Sequence, residues 1–364
     1  MKTKYCIIAK TGSSEMRAMQ NLSSDNLNKI LPVVELTRGR AKNIGTKQDP
    51  MFIYPYESKI SKIKEIFSST QFALDVTSEE SLSSQEIDSL FDYSNGYANW
   101  IDLIRLLKQE GFNIIPSILR NYDDDNFEEN LKRQVENISS SFSEIMYRCT
   151  LDDEGITDDV KLIIEYLKSL ERHCNLIIIL DCGWISPASY KDAANVCISK
   201  IKELIEKTST KEHNIIVCST TFPNNVSEIG KDFSDVFDLR EIDMYELIAK
   251  QYPKVIYGDY GSINPIRNDQ IVMARGWIPR IDVALERQIY YYRERKGERS
   301  YSDTYTYVAR KAVSNDKFPS SLDSWGFRQI KNCALGDAPS ASPSFWISVR
   351  MNSHIIQQIN RLKL

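Results

Sequence analysis

Four carboxylates stand at or near the ends of short apolar runs: Glu35 in Leu31-Pro-Val-Val-Glu-Leu36, Asp75 in Phe72-Ala-Leu-Asp-Val76, Asp181 closing Leu176-Ile-Ile-Ile-Leu-Asp181, and Asp259 closing Lys254-Val-Ile-Tyr-Gly-Asp259. Two cations occupy equivalent places, Lys10 after Tyr5-Cys-Ile-Ile-Ala9 and Arg148 inside Glu144-Ile-Met-Tyr-Arg-Cys149. Carboxylates beside fixed cations can exchange protons as general acids and bases, or hold Mg²⁺ while the cations take up a phosphate or carboxylate. Acid/base or Mg²⁺-ligand roles therefore fall to Glu35, Asp75, Asp181 and Asp259, and anion binding to Lys10 and Arg148. The same pattern also describes buried ion pairs that close one end of a sheet.

Three further segments carry polar chemistry. Ser219-Thr-Thr-Phe-Pro223 follows an apolar run and offers the hydroxyls of Ser219 and Thr220, with backbone amides, to an anion. Gly258-Asp-Tyr-Gly261 sets the Tyr260 phenol between glycines that permit a sharp turn or close ligand approach. Arg275-Gly-Trp-Ile-Pro-Arg280 joins guanidinium groups to an indole, a combination suited to phosphate pairing and base stacking, with Arg275 as a ligand-binding candidate. The Tyr-rich stretch from Tyr290 to Tyr307 extends such a surface, although alternating Tyr and Thr reads first as a half-buried strand. His354 reads as a packed histidine.

Other chemistries have little material. With 3 His and 7 scattered Cys, none in a Cys-x-x-Cys pair, an imidazole or thiolate zinc site is not indicated, and the cysteines read as reduced thiols of a cytoplasmic protein. No Gly-x-x-x-x-Gly-Lys-Ser/Thr loop, Gly-x-Gly-x-x-Gly turn or Gly-x-Ser-x-Gly elbow occurs. No apolar run approaches a membrane span. A net charge of −4 excludes nucleic-acid binding by bulk charge and leaves only a local basic patch.

The elements that must position these residues follow from hydrophobic periodicity. Eight β-branched or aliphatic runs recur at Tyr5–Ala9, Leu31–Leu36, Phe72–Val76, Asn113–Leu119, Glu144–Cys149, Leu176–Asp181, Asn214–Ser219 and Lys254–Asp259. Amphipathic stretches such as Val160–Leu167 and Val196–Ile205 lie between them. Near-continuous apolar character indicates strands covered on both faces. The alternation predicts an α/β fold, a (β/α)8 TIM-barrel-like domain over residues 1–285, with an aromatic-rich strand, loop and helix segment at 286–364 packed on it. The alternative is an open doubly wound parallel sheet. In a barrel, strand carboxyl ends share one mouth, which is why the four carboxylates form one candidate site.

Lys10-Thr-Gly-Ser-Ser-Glu15 with Ala18, Leu31-Pro-Val-Val-Glu-Leu36, Leu74-Asp75, Leu180-Asp181-Cys-Gly183, Ser219-Thr-Thr-Phe-Pro223, Gly258-Asp-Tyr-Gly261 and Asn352-Ser-His354 together resemble the "beta protein" family of phages and bacterial genomes. Ser353 stands where a second polar or ring-bearing residue is expected, a departure that weakens any paired role for the tail. The resemblance implies an intracellular protein of phages and of bacterial mobile or defence regions, and no named activity. Two classes of function follow. One is an antiviral-defence-linked protein whose mouth binds a phosphorylated or nucleotide-like ligand and hydrolyses it with Mg²⁺. The other is a non-catalytic module that senses or sequesters a protein or nucleic-acid partner, with Tyr and Arg around residues 288–310 as its surface. Whether the protein is an enzyme is left open between them.

Overall fold

The computed structural model describes residues 5–170, 172–224, 233–266 and 276–364. Eight strands form one parallel sheet: β1 (Tyr5–Lys10), β2 (Ile30–Leu36), β3 (Phe72–Val76), β4 (Ile114–Pro116), β5 (Glu144–Thr150), β6 (Asn175–Trp184), β7 (Ile215–Thr220) and β8 (Ile256–Asp259). Neighbouring strands pair in sequence from β1 to β4 and from β5 to β8, and β8 pairs back onto β1. The seam between β4 and β5 closes through the parallel bridge of Ser117 with Met146 and the Ile118 amide, which donates to the Met146 carbonyl at 2.8 Å. The ring is therefore a (β/α)8 barrel and not the open sheet.

Strand parity sorts the core into two parts. Cys6, Ile8, Leu31, Val33, Ala73, Ile115, Met146, Ile177, Ile179, Ile216, Cys218 and Ile256 fill the lumen, so the barrel is packed with apolar side chains along most of its axis. Their strand neighbours, such as Tyr5, Ile7, Val34, Leu74, Tyr147 and Ile178, face outward onto the helices. Gly258 sits in the lumen where a Cβ would lie 2.3 Å from the Cys218 sulfur, so a side chain there would push the barrel wall apart. Covering helices include Ser13–Gln20, Glu57–Phe67, Ala98–Gln109, Phe127–Ser139, Ile156–Ser169, Tyr190–Thr208 and Arg240–Gln251.

The helix that completes the outer ring comes late. After β8 the chain first builds Arg280–Ala284 and Gln288–Arg293, a hairpin spanning residue 285 that adds antiparallel to Ser234–Asp238. One face of this small sheet, with Ile281, Val283 and Tyr290, packs on the helix Tyr301–Val313 and on Trp346 and Val349 of the last helix, and Trp325–Leu335 covers those two helices. Only then does the last helix, Pro343–Arg361, return to lie beside Ser13–Gln20, where the Asn352 amide donates to the Ala18 carbonyl at 3.1 Å. The segment Tyr301–Tyr307, read from its Tyr/Thr alternation as a strand, is helical. Ser300 caps it by accepting from the Asp303 amide at 3.0 Å, and Tyr305, Val308, Ala309 and Ala312 bury one face at helical spacing.

Candidate functional site

At the carboxyl end of the lumen the apolar layers give way to charge. Glu35, Asp75, Asp181, Lys10, Arg148 and Tyr260 share the inward parity of the lumen residues beneath them, and Arg148 is the hub. Its Nε and Nη2 donate to Asp181 at 2.9 and 2.7 Å, and its Nη1 donates to Glu35 and Asp75 at 3.0 Å each. The Tyr260 hydroxyl donates to the other Asp181 oxygen. Lys10 Nζ lies 3.7 Å from Glu35 and donates to the Pro265 carbonyl at 3.0 Å. The register explains the convergence: Lys10 pairs with Glu35 and Glu35 with Asp75, one level around three adjacent strands.

The electrostatics follow from this packing. Burial pushes Glu35 upward, but the Arg148 guanidinium and Lys10 ammonium overcome it and hold the carboxyl below its usual range. Asp75 goes the other way: burial, joined by the Glu35 charge, outweighs Arg148 and raises it. Burial would lower Arg148, yet Asp181, Glu35 and Asp75 keep it firmly charged. Burial beside Asp181 raises the Tyr260 phenol, which stays a donor. The side chains of Arg148 and Lys10 retain 19% and 18% exposure, so the cluster opens outward on the cationic side.

That opening is narrow. A cavity of about 20 Å³, enough for one water, lies among Lys10, Glu15, Glu35, Tyr260, Asn264 and Pro265. Lys59, from the helix after β2, reaches the same rim and donates to the Thr11 carbonyl at 2.6 Å. Glu15 and Lys59 escape a reading based on strand ends, because both lie on helices and reach the mouth from its rim. Among the described residues no group of three His, Cys, Asp or Glu side chains is set to hold a metal ion. In the barrel the three carboxylates are spread around the Arg148 guanidinium, which fills the centre a cation would take.

Parity separates the remaining candidates. Asp259 is adjacent to Tyr260 and therefore faces outward. It accepts from the Tyr5 hydroxyl at 2.5 Å, the Gly261 amide at 2.8 Å and the Tyr257 hydroxyl at 2.9 Å, and it pairs with His354 Nε2 of the last helix at 2.8 Å. It fastens that helix to β1 and β8, apart from the Arg148 cluster. Ser219 also points outward, 3.6 Å from the Met244 sulfur, whereas Thr220 points inward and accepts from the Phe222 amide at 3.0 Å. Beyond it, Glu241 is buried and accepts from the Thr221 hydroxyl and amide; burial raises its carboxyl to about 7. Arg275 lies outside the described residues. Its neighbour Trp277 stacks on Tyr301 with ring centroids 4.1 Å apart.

A closed eight-stranded parallel barrel with an apolar lumen and a charged layer at its carboxyl end defines a TIM-type (β/α)8 protein. Residues 5–360 match the family model described as Beta protein, and the chain belongs to that family. It is 28% identical over 359 residues to "Protein beta" of Enterobacteria phage P4, covering 98% of this chain and 92% of that protein. Among solved structures it is similar to the arginine decarboxylase of Paramecium bursaria Chlorella virus bound to agmatine, at 13% identity and a TM-score of 0.34, over 71% of this chain and 58% of that one. Among the described residues no helix is long and apolar enough to cross a membrane.

Proposed function

We propose that the barrel mouth binds a small phosphorylated or nucleotide-like ligand that docks on the rim outside the one-water cavity, with Lys10 and Lys59 meeting its anionic group. Arg148 and the carboxylates around it form the preorganised floor. The observation that carries this reading is the change of character within the lumen. Apolar layers fill it until the level of Glu35, Asp75, Arg148 and Asp181, where ion pairs replace the aliphatic side chains that would stabilise a purely structural barrel at least as well. Lys10 and Lys59 support the anionic class, because each donates to a main-chain carbonyl and an ammonium carries three donors. The reading is one of binding, since the guanidinium fills the centre that Mg²⁺-assisted hydrolysis would need. The relative in a phage supports a role in phage–bacterium conflict, and in that setting a cytoplasmic location.

Thermal shift against nucleotides and sugar phosphates tests the proposal. A ligand at about a hundred times its Kd stabilises the folded state by roughly 2.7 kcal/mol. A shift in the wild type that is lost in Lys10→Met and Lys59→Met supports it. No shift with any of these ligands, or an equal shift in both variants, overturns it.

A second reading, a partner-binding module, is favoured by the Trp277–Tyr301 stack beside the apolar side chains of Pro343 and Ile347, with Lys296 5.7 Å from the Tyr301 ring and Arg299 4.4 Å from that of Tyr307. Joint substitution of Arg293, Arg295 and Tyr301 by Ala would then abolish a complex that mouth variants leave intact. A complex unchanged by the triple substitution sinks this reading.

A further inference from the structure

Two thiols stand in contact beside the mouth. Cys182, in β6 directly after Asp181, is partly exposed, and its sulfur lies 3.3 Å from that of buried Cys197 on the helix Tyr190–Thr208. A disulfide needs sulfurs about 2.05 Å apart, so closure moves them roughly 1.3 Å. The chain around Cys182 can supply that movement. The ladder between β6 and β7 shifts register between Asp181 and Trp184, and Gly183 takes a positive φ of 57° while its amide donates to Asp181 Oδ1 at 2.9 Å.

We propose that Cys182 and Cys197 form a reversible oxidation site whose substrate is a small two-electron oxidant of the peroxide class. The Cys182 thiol gives up its proton, and the thiolate attacks one peroxide oxygen. The O–O bond breaks, the other oxygen leaves as water, and Cys182 becomes a sulfenic acid. Cys197 then attacks that sulfur as its own proton departs, the S–O bond breaks, and a second water leaves. Two thiols and one hydrogen peroxide yield one disulfide and two waters, and a dithiol reductant restores the pair. A dithiol that closes and reopens in this way is a transient link and not a structural bridge.

The site is coupled to the mouth through one peptide bond. Asp181 holds Arg148 through two hydrogen bonds and also accepts from Tyr260. Drawing Cys182 toward the helix therefore moves the residue on which the charged layer is built. The hydrogen bond with Cys197, together with burial, raises the Cys182 thiol, so the thiolate is scarce near neutrality and oxidation accelerates with pH. The second close pair, Cys6 and Cys218 at 3.9 Å, is fully buried in the lumen and serves as an internal control.

The test uses the full chain treated with hydrogen peroxide, alkylated, and mapped without reductant. The expected result is a linked Cys182–Cys197 peptide and, before alkylation, an intact mass lower by two hydrogens. Both are reversed by a dithiol and absent in Cys182→Ala and Cys197→Ala, and the link forms about tenfold faster at pH 8 than at pH 7. Trp184, two residues beyond Cys182, is expected to change its emission on oxidation in the wild type and in neither variant. A wild-type protein in which Cys197 remains alkylatable after Cys182 is oxidised overturns the proposal. So does a link found at Cys6–Cys218 in place of Cys182–Cys197. Because the readouts are mass and emission, they stand whether or not the mouth binds the ligand proposed above.

Discussion

Replacing Arg148 by Met tests the account of the charged layer most directly. The guanidinium makes four hydrogen bonds to three carboxylates. A Met side chain of similar reach keeps the packing and removes every one, leaving Glu35, Asp75 and Asp181 facing one another with Lys10 as the nearest remaining cation among the described residues. Removing one partner of a buried ion network costs about 3–5 kcal/mol, most of it from charges left unpaired. The size of the loss depends on pH with a definite sign. Without Arg148 the carboxyls of the folded chain rise above their unfolded values near 4, so the folded state holds more protons than the unfolded one and stability falls as pH climbs through that window. Each unit by which one carboxyl is raised is worth about 1.4 kcal/mol, present as destabilisation at neutral pH and relieved in acid. Denaturant melts of wild type and variant at about pH 5 and about pH 8 therefore separate ion-pair loss from simple packing loss. A penalty of about 3–5 kcal/mol near pH 8 that shrinks by at least about 1 kcal/mol near pH 5 fits the reasoning. A penalty independent of pH, or one below about 0.5 kcal/mol at both values, refutes it.

Three further outcomes follow from neighbouring groups. Asp259→Asn turns one acceptor oxygen into a donor in front of Tyr5, Tyr257, Gly261 and His354, and is expected to cost about 2–4 kcal/mol in a thermal melt while leaving any thermal shift by the ligand proposed for the mouth intact in the folded fraction. Glu241 is raised to about 7, so its folded form keeps a proton that the unfolded form loses above the ordinary carboxylate range; stability falls between those values, and Glu241→Gln should abolish that slope and raise the melting point at about pH 8. Tyr260→Phe removes one donor to Asp181 and is expected to cost about 1–2 kcal/mol with the fold unchanged by circular dichroism; a neutral result would show that water replaces the phenol.

The barrel was readable because each of its strands is an apolar run bounded by polar residues, and the run Phe72–Val76 coincides with β3 to the residue. The mouth was readable in part. Glu35, Asp75, Asp181, Lys10, Arg148, Thr220 and Tyr260 share inward parity, whereas Asp259 and Ser219 sit one residue out of phase and face the helices. That phase is hidden where a strand is apolar on both faces, because alternation then carries no contrast. Which of the neighbours Asp259 and Tyr260 faces inward follows from the pairing of β8 with β1, where Asp259 lies opposite outward-facing Ile7, a non-local fact. Lys59 and Glu15 come from helices whose approach depends on how the loops cross the rim, and no spacing in the chain encodes it. The helix Tyr301–Val313 was obscured by its Tyr and Thr content, although the Ser300 cap and the Val308, Ala309 and Ala312 spacing were present in the sequence.

The clasp between Asp259 and His354 spans 95 residues. On the ribosome, at about 5–20 residues per second, the helix that covers β1 and β8 emerges on the order of ten seconds after the strand it must cover. Until then the outer faces of β1 and β8 are only partly covered, Tyr257 by Tyr245 of the helix Arg240–Gln251 and Tyr5 by Tyr257, and the nascent barrel lacks the cover and the Asp259 partner that the last helix brings. The intervening sheet and helices are synthesised during that interval, but their core takes Trp346 and Val349 from the same closing helix, so its arrival completes that core and the barrel wall together. Chains halted inside this interval would be the ones that chaperones retain.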